Sequence, residues 1–161
     1  MPRIDDVLNA LSLSNTVFQM GYVFGVLVAL AASALGRYAR FDRDQSFYAT
    51  ILVVTASYYV LFAAMSGSTR ISAIEVLSML PFVIAAVIGF KKNLWVIVAA
   101  LLGHCVLDLF HDDIVVNQGM PLWWPSFCMS FDVVAGLMLA ILITRSKSVE
   151  RFAARNGALV S

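Results

Sequence analysis

The sequence predicts an all-α, polytopic integral membrane protein, a bundle of five transmembrane helices with its N-terminus out and its C-terminus in. Three observations carry this. Of the residues, 61% are hydrophobic and only 13% charged, about half the charge of an ordinary soluble domain. The mean hydropathy is +0.86. The apolar residues also fall into five runs of about 20, the length that crosses a hydrocarbon layer about 30 Å thick. Residues 1–161 read as one membrane domain without repeats, linkers or low-complexity segments.

The first helix spans about residues 16–36. Its lead-in, MPRIDDVLNALSLSN, carries one Arg and two Asp, unlike the basic start of a signal peptide, and the run exceeds an h-region of about 7–15 residues. It reads as a retained helix. The charged link RYARFDRD follows, then helix two at about 46–65 and a Ser-Gly-Ser-Thr-Arg loop. Helix three covers about 72–90, carries Pro81 inside it, and closes on Lys91, Lys92 and Asn93. Helix four covers about 94–112. Its exit loop holds the turn residues Asn117, Gly119 and Pro121. Helix five covers about 125–144, with Pro125 in its first turn, where a missing N–H costs little. The tail, 145–161, is basic and polar; Val149, Phe152 and Ala153 suit a short helix on the bilayer surface. Gly21 and Gly25 form a GxxxG-like pair, a spacing that lets helices approach closely.

Charge placement orients the bundle. Arg37, Arg40, Arg43, Lys91, Lys92, Arg145, Lys147, Arg151 and Arg155 fall on one side of a five-helix chain, Arg3 and Arg70 on the other. The positive-inside rule puts the larger set in the cytoplasm. The implied location is the cell (inner or plasma) membrane. The exit loop of helix four then lies outside, with Trp123 and Trp124 at the level of interfacial aromatics. A net charge of +1 gives no general affinity for nucleic acid. Cys105 and Cys128 read as buried thiols rather than a disulfide framework.

The chemistry concentrates in residues 103–132, GHCVLDLFHDDIVVNQGMPLWWPSFCMSFD, which hold both histidines. On an ideal helix His104, Asp108, His111 and Asp112 lie at about 0°, 40°, −20° and 80°, one stripe. A stripe so polar must face the bundle interior or water. Antiparallel return about residue 118 sets His104 level with Asp132 and Asp108 level with Cys128. The same exercise sets Glu75 level with Asp108, and reflection through the loop near residue 68 brings Tyr58 and Tyr59 to about the level of Ser78 and His104. The polar residues gather toward the outer half, which suggests a pocket open to the outside.

Imidazoles and carboxylates together suit zinc, or non-haem iron with open positions. His104, Asp108 and Asp132 are the first choice of ligands, with His111 as a fourth ligand or proton shuttle. Glu75 and Asp112 are the candidate catalytic bases. A hydrogen-bonded His–Asp network without metal fits the same residues. Glu75 could simply favour the start of helix three through its dipole, and His111, Asp112 and Asp113 could be solvated helix-end charges.

Two runs carry a resemblance. His104, Asp108, His111 and Asp112 follow a His-x3-Asp-x2-His-His/Asp pattern. Pro121, Trp123, Trp124, Pro125, Cys128 and Asp132 lie close to a Pro-x-Trp/Tyr-Pro-x2-Cys-x3-Asp pattern, with one more aromatic residue before Pro125. Over these 30 or so residues the chain resembles a family of small uncharacterised bacterial multi-pass membrane proteins. The resemblance implies a multi-helix membrane fold and no particular activity. More loosely, the site is similar to those of the alkaline ceramidase and adiponectin-receptor hydrolases, seven-helix proteins with a histidine-bound zinc. The departures are five helices, two histidines and no HxxxH pair.

The sequence thus leaves three readings. The first is a metal-dependent membrane enzyme, zinc or iron, with an outward-facing site for a lipid or small amphiphile. The second is a non-enzymatic, proton-coupled transporter or binding protein, which a chain this small would complete by forming a homo-oligomer. The third is an assembly subunit that uses its Trp-Trp loop as a contact.

Overall fold

The computed structural model describes residues 4–41 and 46–157, with side chains over 12–41 and 46–146. Five helices follow in order: α1 Ile4–Tyr38, α2 Ser46–Met65, α3 Thr69–Lys91, α4 Trp95–Ile114 and α5 Trp124–Gly157. Each contains a segment long and apolar enough to cross a membrane.

Two helices are longer than their apolar cores. α1 begins at Ile4 rather than near residue 16, because IDDVLNALSLSN contains no helix breaker. α5 continues through the tail to Gly157. The separate surface helix expected there is therefore a continuation of α5; the side chains of Val149, Phe152 and Ala153 lie outside the described residues. Arg3 and Arg43 lie outside them too. α3 starts after an N-cap: Ser68 Oγ accepts from the Ile71 backbone N–H at 3.4 Å. Pro81 sits inside α3 without ending it.

The helices pack as two hairpin-like pairs, α2 with α3 and α4 with α5, and α1 lies along α5. Gly21 faces Ser126 and Trp123, and Gly25 faces Ser130 and Phe127. The partners advance together along both chains, so α1 and α5 run parallel. A Cβ on Gly21 would overlap Ser126 Oγ, and one on Gly25 would overlap the Phe127 carbonyl. Surrounding lipid is as apolar as a leucine, so close backbone approach of this kind and interhelical polar contacts hold such bundles together.

Two apolar clusters divide the interior. At the end carrying Arg37, Lys91, Lys92 and Arg145, the core is Leu52, Ile97, Leu101, Ala135, Leu139 and their neighbours. At the opposite end, Tyr59, Phe62, Trp124 and Cys128 pack together. The polar side chains lie between and beside these clusters. Large apolar residues such as Leu77, Ile84 and Val87 of α3 face outward, as a lipid-facing surface requires.

Trp124, expected among interfacial aromatics, packs its ring inside the bundle. It is 8% exposed, its ring 4.8 Å from that of Tyr58 and 4.9 Å from that of Phe62. Trp123 is half-buried and packs edge-on against Phe24. The first turn of α5 inserts between α1 and α2, which draws Trp124 inward.

Candidate functional site

α4 presents His104, Asp108 and His111 to the interior, with exposures of 1%, 4% and 3%. They are the polar members of a buried stripe that also holds Ile97, Val98 and Leu101. Asp112, one residue further round, has a side chain 71% exposed. The stripe expected from the helical angles therefore forms, but Asp112 falls on its wet edge.

Two groups are built on this stripe. The deeper one joins α4 to α5 and α2. His104 Nδ1 donates to Asp132 Oδ2 at 2.6 Å and lies 3.7 Å from Asp108 Oδ2. Tyr59 of α2 donates its hydroxyl to Asp108 Oδ1 at 2.7 Å. The His104 ring is held edge-on between Phe82 of α3, 4.8 Å away, and Tyr59, 5.8 Å away. Thr55 lies beside Asp132, its hydroxyl donating to the Leu52 carbonyl at 3.1 Å. Cys128 is fully buried as a free thiol close to both aspartates, which agrees with a packing role.

The second group joins α4 to α3 and the loop after α4. His111 Nε2 donates to both oxygens of Glu75, at 3.0 and 3.2 Å. Asn117 Nδ2 donates to Glu75 Oε1 at 3.0 Å and to the Tyr59 carbonyl at 3.1 Å. The Tyr59 ring stacks on His111, centroids 4.2 Å apart. Glu75 was expected level with Asp108 and instead meets the residue one turn further out. It is not a solvated helix-start charge: α3 buries only Glu75, Ala86 and Gly89 among its described side chains. Its reach inward is therefore specific.

The structure thus brings His104, Asp108 and Asp132 together, and His111 with Glu75, leaving Asp112 outside both groups. Within the first, one ligand atom from each residue lies within 4.8 Å of the others. Asp108 Oδ2 and Asp132 Oδ1 are buried and have no hydrogen-bond partner. Buried carboxylate oxygens are strongly disfavoured in that state. Two carboxylates against one imidazolium also leave a negative charge uncompensated. A divalent cation with a neutral imidazole removes both problems, so the residues present fit a metal ion.

Asn117, Tyr59 and Thr55 were not singled out as functional from the sequence. Asn117 reads as a turn residue, and it is one: its Oδ1 accepts from the Gly119 N–H at 3.3 Å. Its amide also enters the bundle. Gly119 permits this, because its backbone lies against the Phe62 carbonyl, leaving no room for a Cβ. The signal available was a polar side chain next to a glycine in a loop facing a charged stripe. The end of the bundle at the α4–α5 loop, next to the sites, is closed by Val115, Asn117 and Trp124, each under 9% exposed. The expected outward opening is therefore covered. A cavity of about 310 Å³ instead runs along α2 past Ser46 and Thr50 and ends at Thr55 and Phe131, the neighbours of Asp132.

No protein-family model, curated protein or solved structure matches the chain, and the family resemblance rests on its motifs alone.

Proposed function

We propose that this chain is a metal-dependent membrane enzyme in which His104, Asp108 and Asp132 hold one zinc or ferrous ion. Its substrate would be a lipid or small amphiphile. The observation that supports this best is the pair of orphaned oxygens, Asp108 Oδ2 and Asp132 Oδ1, buried beside one imidazole. Three ligands from His and Asp, with a further position left open, suit catalytic zinc and non-haem iron alike. The ion would supply Lewis acidity to a substrate oxygen or to water.

The chain's own residues have defined tasks in this reading. Tyr59 fixes Asp108 through Oδ1 and leaves Oδ2 for the ion. Phe82 and Tyr59 fix the plane of the His104 ring. The cavity along α2 gives an amphiphile a lateral way in, ending at Thr55. Glu75 and His111 form a separate proton-holding pair toward the outer end.

One observation favours the proton-binding alternative. The 2.6 Å His104–Asp132 bond is shorter than the ~3.3 Å expected between two ligand atoms on a tetrahedral ion with bonds near 2.0 Å. Metal binding at Nδ1 would require that nitrogen to give up the proton it shares with Asp132, and Asp132 to turn Oδ1 to the ion. A His–Asp pair that only exchanges protons needs no such turn. Against a through-going relay, no side-chain hydrogen bond joins the two groups among the described residues; Asn117 reaches only the backbone of Tyr59.

Metal content decides between them. Detergent-purified protein, reconstituted with zinc or iron(II), is expected to hold about one ion per chain. His104→Ala and Asp132→Asn should abolish binding, and His111→Ala should keep it. Wild-type protein that remains metal-free would sink the enzyme reading and turn attention to proton flux in liposomes.

A further inference from the structure

A second built site lies at the basic end of the bundle, away from both histidines. On α1, Leu30, Ser33, Ala34 and Arg37 repeat at i, i+3, i+4 and i+7, one face of a helix. On α5, Met138, Ile141, Leu142 and Arg145 repeat at the same spacing. Because α1 and α5 run parallel, the two stripes face one groove and both arginines come at the same end. Tyr48 of α2 closes the floor and is 3% exposed. The groove holds about 430 Å³.

Its chemistry is that of an amphiphile. Arg37 and Arg145 are exposed, and among the described residues neither has an ion-pair partner, the ion pairs there all being made by His104 and His111. Guanidinium groups match phosphate oxygens in a bidentate fork. From Arg37 back to Leu30 is about 10 Å of helix, along which the walls turn apolar. A free inorganic anion gains nothing from those walls.

We propose that this groove binds one anionic phospholipid, with its phosphate between Arg37 and Arg145 and an acyl chain against Leu30, Ala34 and Met138. Anionic lipids are enriched in the cytoplasmic leaflet, where the charge count places these arginines. The site needs neither a metal nor the enzymatic reading, and it stands if that reading fails.

Native mass spectrometry of the detergent-solubilised full chain tests it. The probes are phosphatidylglycerol, phosphatidylcholine with matched chains, and inorganic phosphate. The expected result is a single phosphatidylglycerol adduct, favoured about tenfold or more over phosphatidylcholine, with no phosphate adduct. Arg37→Gln with Arg145→Gln should remove the preference. Lys91→Gln with Lys92→Gln, which loses the same charge at the same end, should keep it. Ala34→Phe fills the groove with both arginines intact and should also abolish the adduct, so the site remains testable if the double arginine variant does not fold. Equal loss in the lysine variant, an unchanged adduct in Ala34→Phe, or binding of inorganic phosphate alone would overturn the site.

Discussion

The two histidines of α4 sit on one stripe, seven residues apart, yet their surroundings differ in kind. His104 lies about 15 Å from the Ile114 end of its helix, close to the middle of the bundle. It meets two carboxylates, and two of their oxygens have no partner. His111 lies in the last turn. It meets Glu75, both oxygens of which are bonded, while Asp112 Oδ1 lies 3.7 Å from its Nδ1. One group sets two carboxyls against one imidazole at depth, and the other pairs its imidazole with buried Glu75 and with Asp112 at the exposed edge. Polar residues of the same type on the same face thus divide into a centre that calls for a cation and a pair that holds itself together.

The largest break in this contrast should come from removing a carboxylate partner at each level. Asp132→Ala leaves the His104 Nδ1 hydrogen without its close partner in the buried interior and is expected to cost about 3 kcal/mol or more. Glu75→Ala should cost about 1–3 kcal/mol, because His111, a turn from the helix end, regains water. Thermal unfolding in detergent compares the two; equal losses would mean that depth does not separate the groups.

Tyr59→Phe sharpens the contrast, since that side chain serves both groups in different ways. Losing the hydroxyl frees Asp108 Oδ1 but keeps the ring on His111. Metal affinity should fall about 10–100-fold, read by competition with a chelator. An unchanged affinity would show that Tyr59 does not position Asp108.

Asn117→Ala touches only the outer group. It should cost about 1 kcal/mol and leave metal content at the wild-type value; loss of the ion would join the two groups into one centre. The smallest effect is expected for Asp112→Asn. Its side chain is on the wet edge, so stability should stay within about 0.5 kcal/mol and metal content should not move. A loss of activity in this variant, once a substrate is known, would restore Asp112 as a base.

Much of this arrangement is legible in the chain. Five apolar runs give five helices, and the angular stripe on α4 forms as drawn. Reflection about residue 118 pairs His104 with Asp132 because the short loop makes α4 and α5 antiparallel neighbours. The same method puts Glu75 one turn out, because the counting fixes depth only to within a turn and says nothing of side-chain reach. Trp124 is misplaced for a different reason. An interfacial aromatic and an aromatic plug look alike in sequence, and only packing against Tyr58 and Phe62 separates them. Asn117 is hidden by its loop, where turn chemistry already explains it.

The parallel seating of α1 on α5 has a consequence for how the protein is made. The first of the five helices finds its main partner in the fifth. Without residues 124–146, Gly21 and Gly25 lack the backbone they pack against, and the His104–Asp108 group lacks Asp132. Completion of the C-terminal segment therefore closes the bundle and assembles its centre in one event. A chain halted before that segment emerges would hold three antiparallel helices, an unpaired first helix and no centre.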